Sequence, residues 1–206
     1  MPLLPDPARF AAALAAFDGA NAEDPNQDAD ETGRIWPKEV LYARRMSASL
    51  ARMAPDALEA VRLAAHCQHI CRWAIQRLDF PMTRPGYHQW RNTLKKYHAE
   101  LAGQLLSEVG YDLTTIVRVQ QLVQKLHLNN DPDVQLLEDV ICLVFLEYYF
   151  LPFAAQHPEE KVIEIVKKTW PKMTTYGQAL ALQLPLPAKA LVLINKALAA
   201  PGDEGH

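Results

Sequence analysis

Two histidines stand three positions apart in the segment Leu63-Ala-Ala-His66-Cys-Gln-His69-Ile-Cys-Arg72-Trp73. On a helix that spacing puts both rings on one face. Positions 63, 67, 70, 71 and 74 are small or apolar and form a core stripe, while Arg72 and Trp73 continue or flank the histidine face. Two imidazoles so placed can bind one metal ion or straddle two. The competing reading is a pair of hydrogen-bonded histidines at the edge of the core.

Further along, Arg91, Lys95 and His98 follow one another at spacings of four and three. One helix face then carries two fixed cations and an imidazole, which suits a phosphate or carboxylate. The plain alternative is a solvated basic stripe. His98 opens an apolar, alanine-rich turn and is expected to point inward. The segment Gln135-Leu-Leu-Glu138-Asp139-Val-Ile-Cys-Leu-Val-Phe-Leu-Glu147 sets carboxylates in a greasy helix. Buried there, an acid is costly unless it is paired or bound to metal. Either Glu138 or Asp139 could face outward, and at least one of the two is expected to border the core. Glu39 opens another helix, where the helix dipole alone accounts for it, or where it joins the same site.

These residues need helices to hold them. The 206 residues include only 8 glycines, and apolar positions recur at helical spacing. About eight helices are expected, in one all-α domain spanning residues 1–206. The polar stretch 24–36 is expected to be a loop. Helices are expected near Pro7 to Ala22, from Pro37 to about Met53, after Pro55-Asp56 to about Ile75, and from Tyr87 to Val109, stopped by Gly110. Others run from Leu113 to about Leu126, from Asp133 to about Phe150, and from His157-Pro158 to Pro171. Asn129-Asn130-Asp131-Pro132 is expected to turn. A last helix lies near Pro187 to Ala199, and residues 200–206 are expected to fray.

The net charge of -3 and pI near 6.2 argue against nucleic-acid binding driven by bulk charge. No apolar run approaches the roughly 20 residues of a membrane span. The greasiest stretch, Val140 to Phe153, contains Glu147 and Pro152. The N-terminus lacks the charged and apolar regions of a signal peptide. Three cysteines sit in apolar helical patterns and are expected to be reduced and buried, as in a cytoplasmic protein. Rossmann-type βαβ patterning and nucleotide-binding signatures are absent.

In order and spacing, these elements resemble a modified HD-domain core, an all-helical superfamily of mostly metal-dependent phosphohydrolases. The segment His98-Ala-Glu-Leu-Ala-Gly-Gln-Leu-Leu-Ser-Glu-Val-Gly110 resembles the helix that follows the His-Asp pair there. Asp139 matches the final Asp. The His-Asp dipeptide would fall at Gln68-His69 and is absent as such, with His66 one turn earlier to compensate. Glu39 stands near the position of the first His.

More of the chain, roughly residues 10 to 198, resembles an uncharacterised family, domain of unknown function 4202. Its matching segments are Phe17-Asp-Gly-Ala-Asn-Ala-Glu-Asp-Pro25, Pro37-Lys-Glu-Val-Leu-Tyr, Gln68-His-Ile-Cys-Arg-Trp73, Leu137 to Glu147, and Lys168-Thr-Trp170. That resemblance implies no established activity.

The expectation is therefore a metal-dependent phosphohydrolase. His66, His69, His98, Asp139 and Glu39 would hold one or two divalent ions, of Fe, Mn, Co, Ni or Zn. An activated water would attack a small anionic metabolite or nucleotide, and Lys95, Arg72 and Arg91 would neutralise developing charge. The alternatives are a non-catalytic binder of the same ligand and a di-iron oxygenase variant of the site.

Overall fold

A computed structural model describes residues 6–128 and 130–199. The expected frayed tail at 200–206 and Asn129 of the expected turn lie outside the described residues. Helices dominate: ten α-helices and one short hairpin occur among the described residues, so the all-α class holds. The chain divides into two compact units, Met1–Val134 and Gln135–His206. Among the described residues no helix is long and apolar enough to cross a membrane.

In the first unit, α1 (Pro7–Asn21) starts at Asp6, whose carboxylate accepts the N–H groups of Ala8 and Arg9. The hairpin pairs β1 (Gln27–Ala29) with β2 (Ile35–Pro37) in antiparallel register. It is followed by α2 (Lys38–Met53) and α3 (Glu59–His66). The long helix α4 (Arg84–Glu108) packs along α5 (Leu113–Gln124). On α4, Gly86, Trp90, Leu94, His98, Ala102 and Leu106 are all buried, a ladder at strict four-residue spacing. Gly103 lets α5 approach closely: a Cβ there would lie 2.3 Å from Gln120 Nε2. That amide instead donates to the Ala99 carbonyl at 3.1 Å.

Two expectations fail in this unit. Residues 24–36 are not all loop, because Asp30 organises the hairpin. Its carboxylate accepts the N–H groups of Thr32 and Arg34 and the Trp36 indole N–H, while Gly33 takes φ +83° at the turn. The third helix does not run to Ile75. It stops at His66, and residues 67–71 form turns. Cys71 adopts the left-handed conformation at φ 49°, which disfavours a side chain by roughly 1–2 kcal/mol. The Cys71 N–H donates to Asn21 Oδ1 at 2.9 Å, from 50 positions away, and this bond offsets the cost.

The second unit begins within α6 (Pro132–Val144), at Gln135, and continues through a π-helical turn at Phe145–Tyr149 and α7 (Phe150–Ala154). Then come α8 (Glu159–Thr169), α9 (Thr175–Gln183) and α10 (Ala188–Leu198), with α10 packed on α8. The expected helix to Phe150 is thus interrupted by the π turn. Helix α9 has no counterpart in the sequence expectation. Thr174 starts it by accepting the Gly177 N–H at 3.0 Å. Of the three cysteines, Cys67 is buried as expected, whereas Cys71 and Cys142 are only half-buried.

Candidate functional site

Glu39 sits in the first turn of α2 and is 5% exposed. Its own N–H donates to Asp24 Oδ2 at 3.1 Å, and its carbonyl accepts from Asn21 Nδ2 at 3.4 Å, so its backbone is fixed. The carboxylate has no such anchor: the buried Oε2 lacks a hydrogen-bond partner. Burial pushes this carboxyl up to about 7, Asp24 adds to the rise, and Arg72 and Lys38 oppose it.

His69 faces Glu39, with Nδ1 3.7 Å from Oε2. Tyr42, three positions after Glu39 on α2, stacks on the His69 ring at 4.2 Å between centroids. The His98 ring lies 6.1 Å from that of His69. His98 is 2% exposed, and its Nδ1–H donates to the Ile70 carbonyl at 2.6 Å. This places the proton on Nδ1 and leaves the lone pair on Nε2, which is buried without a hydrogen-bond partner. Burial holds His98 down to about 4, and the nearby Arg72 and Arg91 add to the depression. Burial likewise pushes His69 well below the ordinary imidazole range, helped by Arg72, His98, Arg91 and Lys125. Both imidazoles are therefore neutral at neutral pH.

Two guanidiniums complete the group. Arg72 lies over the Trp90 ring, with Cζ 4.8 Å from the centroid. Burial, and then Arg91, destabilise its charge, while Glu39 supports it. Neither Arg72 nor Arg91 is hydrogen-bonded or ion-paired to a carboxylate among the described residues. Two like charges held together in this way suit an anion.

Other expected ligands are engaged elsewhere. His66 does not share a face with His69, because the helix ends between them. Its Nε2–H donates to Asp18 Oδ1 at 3.0 Å, and the Ser47 hydroxyl donates to its Nδ1 at 2.8 Å. Both ring nitrogens are thus used inside the protein. Asp139 belongs to the second unit and is 1% exposed. Its carboxylate accepts the Thr174 N–H at 2.8 Å, the Thr174 hydroxyl and the Gln135 amide. Lys95 lies half-buried on α4, one turn before His98. Among the described residues, no three His, Cys, Asp or Glu side chains already stand in position to hold a metal ion.

The structure thus gathers Glu39, His69, His98, Arg72 and Arg91, and adds Tyr42, Trp90 and Lys125, which sequence reasoning had passed over. Tyr42 did carry a signal, since it lies three positions from Glu39 on the same helix. Lys125 carried none, because its approach depends on the left-handed end of α5.

A family model described as "Domain of unknown function (DUF4202)" matches residues 11–194. The chain belongs to the DUF4202 family. Among curated proteins and among solved structures, none matches this DUF4202 chain. The family match covers every residue of the Glu39, His69, His98, Arg72 and Arg91 group.

Proposed function

We propose that this DUF4202 protein is a metal-dependent hydrolase of a small phosphorylated anion, with Glu39, His69, His98, Arg72 and Arg91 as its working residues. One observation carries the reading: Arg72 and Arg91 are neighbouring cations beside two neutral imidazoles, and the carboxyl that supports Arg72, that of Glu39, forms no hydrogen bond or ion pair with it among the described residues. Guanidiniums in this state favour an incoming dianion, and their partial burial strengthens its hold.

Glu39, His69 and His98 offer one carboxylate and two imidazoles, a donor set suited to Fe, Mn, Co, Ni or Zn. The lone pairs at Glu39 Oε2 and His98 Nε2, buried without partners, fit such a role. A divalent ion held there would supply an activated water and polarise a phosphoryl oxygen. The protein's own groups do the rest. Arg72 and Arg91 hold the anionic oxygens. Glu39, with its carboxyl near 7, can give or take a proton at neutral pH. The Ile70 carbonyl keeps His98 in the tautomer that accepts at Nε2.

A second reading, a binder of the same anion without turnover, is favoured by a specific observation. No three His, Cys, Asp or Glu side chains among the described residues are yet spaced for an ion. Elemental analysis of protein purified without chelators, after supplementation with each candidate metal, separates the two. The hydrolase reading expects near-stoichiometric metal, lost in His98→Ala, and phosphatase activity lost in Arg72→Ala. A content below about 0.1 ion per chain with retained phosphate binding selects the binder.

A further inference from the structure

We infer that the anion held by Arg72 and Arg91 is the phosphate of an ester whose organic half is flat and apolar, and that Tyr87 and the loop before α4 form the shelf for that half. The inference rests on the anion-site reading above and specifies its substrate class.

The shelf adjoins the anion pair through one buried indole. Arg72 Cζ is 4.8 Å from the Trp90 ring centroid, and the Tyr87 ring centroid is 5.8 Å from it. Tyr87 and Arg91 are also four apart on α4, so they share a helix face. Tyr87 is 45% exposed and can accept a second ring.

The neighbouring loop is pinned. Arg77 donates to the carbonyls of Phe80 at 3.0 Å, Pro81 at 2.8 Å and Thr83 at 3.4 Å. Its guanidinium stands 6.0 Å from the Tyr87 ring. Gly86 is required here, because a Cβ would lie 2.1 Å from the Pro81 carbonyl oxygen. Yet this fixed loop leaves Leu78 78% and Met82 72% exposed. Inorganic phosphate would need neither them nor Tyr87. An aromatic or heteroaromatic group seated on Tyr87 uses its exposed ring, and stacking of this kind is worth roughly tenfold in affinity.

The test uses two phosphonate dianions that resist hydrolysis, methylphosphonate and phenylphosphonate, with the full-length protein in calorimetric titrations. Phenylphosphonate is expected to bind about tenfold tighter. Tyr87→Ala should erase that ratio while leaving methylphosphonate binding unchanged, and Tyr87→Phe should keep it. Equal binding of the two probes overturns the shelf and leaves the anion site standing. So does loss of the ratio in Tyr87→Phe, which would assign the effect to the hydroxyl. Failure of both probes to bind overturns the anion site together with the shelf.

Discussion

The Nδ1–H of His98 donates to the main-chain carbonyl of Ile70 at 2.6 Å, joining α4 to the turn that carries His69. One hydrogen bond thereby fixes the His98 tautomer and holds the two rings 6.1 Å apart. His98 is neutral in the fold, since burial lowers it to about 4 from an ordinary 6.5. A depressed imidazole favours the folded state fully above its unfolded value and loses that contribution as pH falls toward the folded value. Nitrogen-detected NMR should find His98 protonated only on Nδ1 at pH 6, and thermal stability should drop between about pH 6.5 and 4. An imidazolium at pH 6 would contradict this.

Glu39 acts with the opposite sign. Its carboxyl is raised from 4.5 to about 7, so the folded state prefers the protonated form. The contribution is fully present below about 4.5 and is lost as pH rises through 7. Glu39→Gln should therefore raise the melting temperature at pH 8 and change it little at pH 4.5. A pH-independent difference would show that burial does not govern this carboxyl.

His66 should prove structural. Its partners Asp18 and Ser47 come from α1 and α2, so the ring ties both helices to the end of α3. Burial raises the Asp18 carboxyl, but the His66 hydrogen bond and the Arg44 charge more than offset this and hold it low. His66→Ala leaves two polar partners unmatched and should cost about 1–3 kcal/mol in urea unfolding. Phosphate affinity of the folded variant should be unchanged. Loss of phosphate binding without loss of stability would return His66 to the site.

In the second unit, Gly177 and Asp139 are mutually required. A Cβ at Gly177 would lie 2.7 Å from Asp139 Cγ. Asp139 in turn holds Thr174, the residue that starts α9. Gly177→Ala is expected to destabilise by about 1–3 kcal/mol through overpacking. Asp139→Ala should destabilise comparably by uncapping α9, with metal content unaltered. Loss of metal in a stably folded Asp139→Asn protein would reverse this assignment.

Much of the architecture is legible in the residues themselves. Scarce glycine, four-residue apolar spacing and the stop at Gly110 determine the helices, and the same spacing turns His98 inward on α4. Glu39 and the neighbourhood of Arg72 and Arg91 were likewise visible as candidates. Which histidine would serve the site was not. His66 and His69 look equivalent by spacing, and the helical assumption placed them together.

Only the tertiary structure separates them. The helix ends at His66, and the Asn21 side chain stabilises a left-handed cysteine five residues later. The ring of His66 then meets Asp18 and Ser47, while His69 turns toward Glu39 and Tyr42. Asp139 likewise reads as a ligand until Thr174, 35 positions away, occupies it. Local spacing sets which side of a helix a residue occupies. It carries no information about a hydrogen bond whose partner lies dozens of positions away, and such bonds decided which polar residues were left available for chemistry.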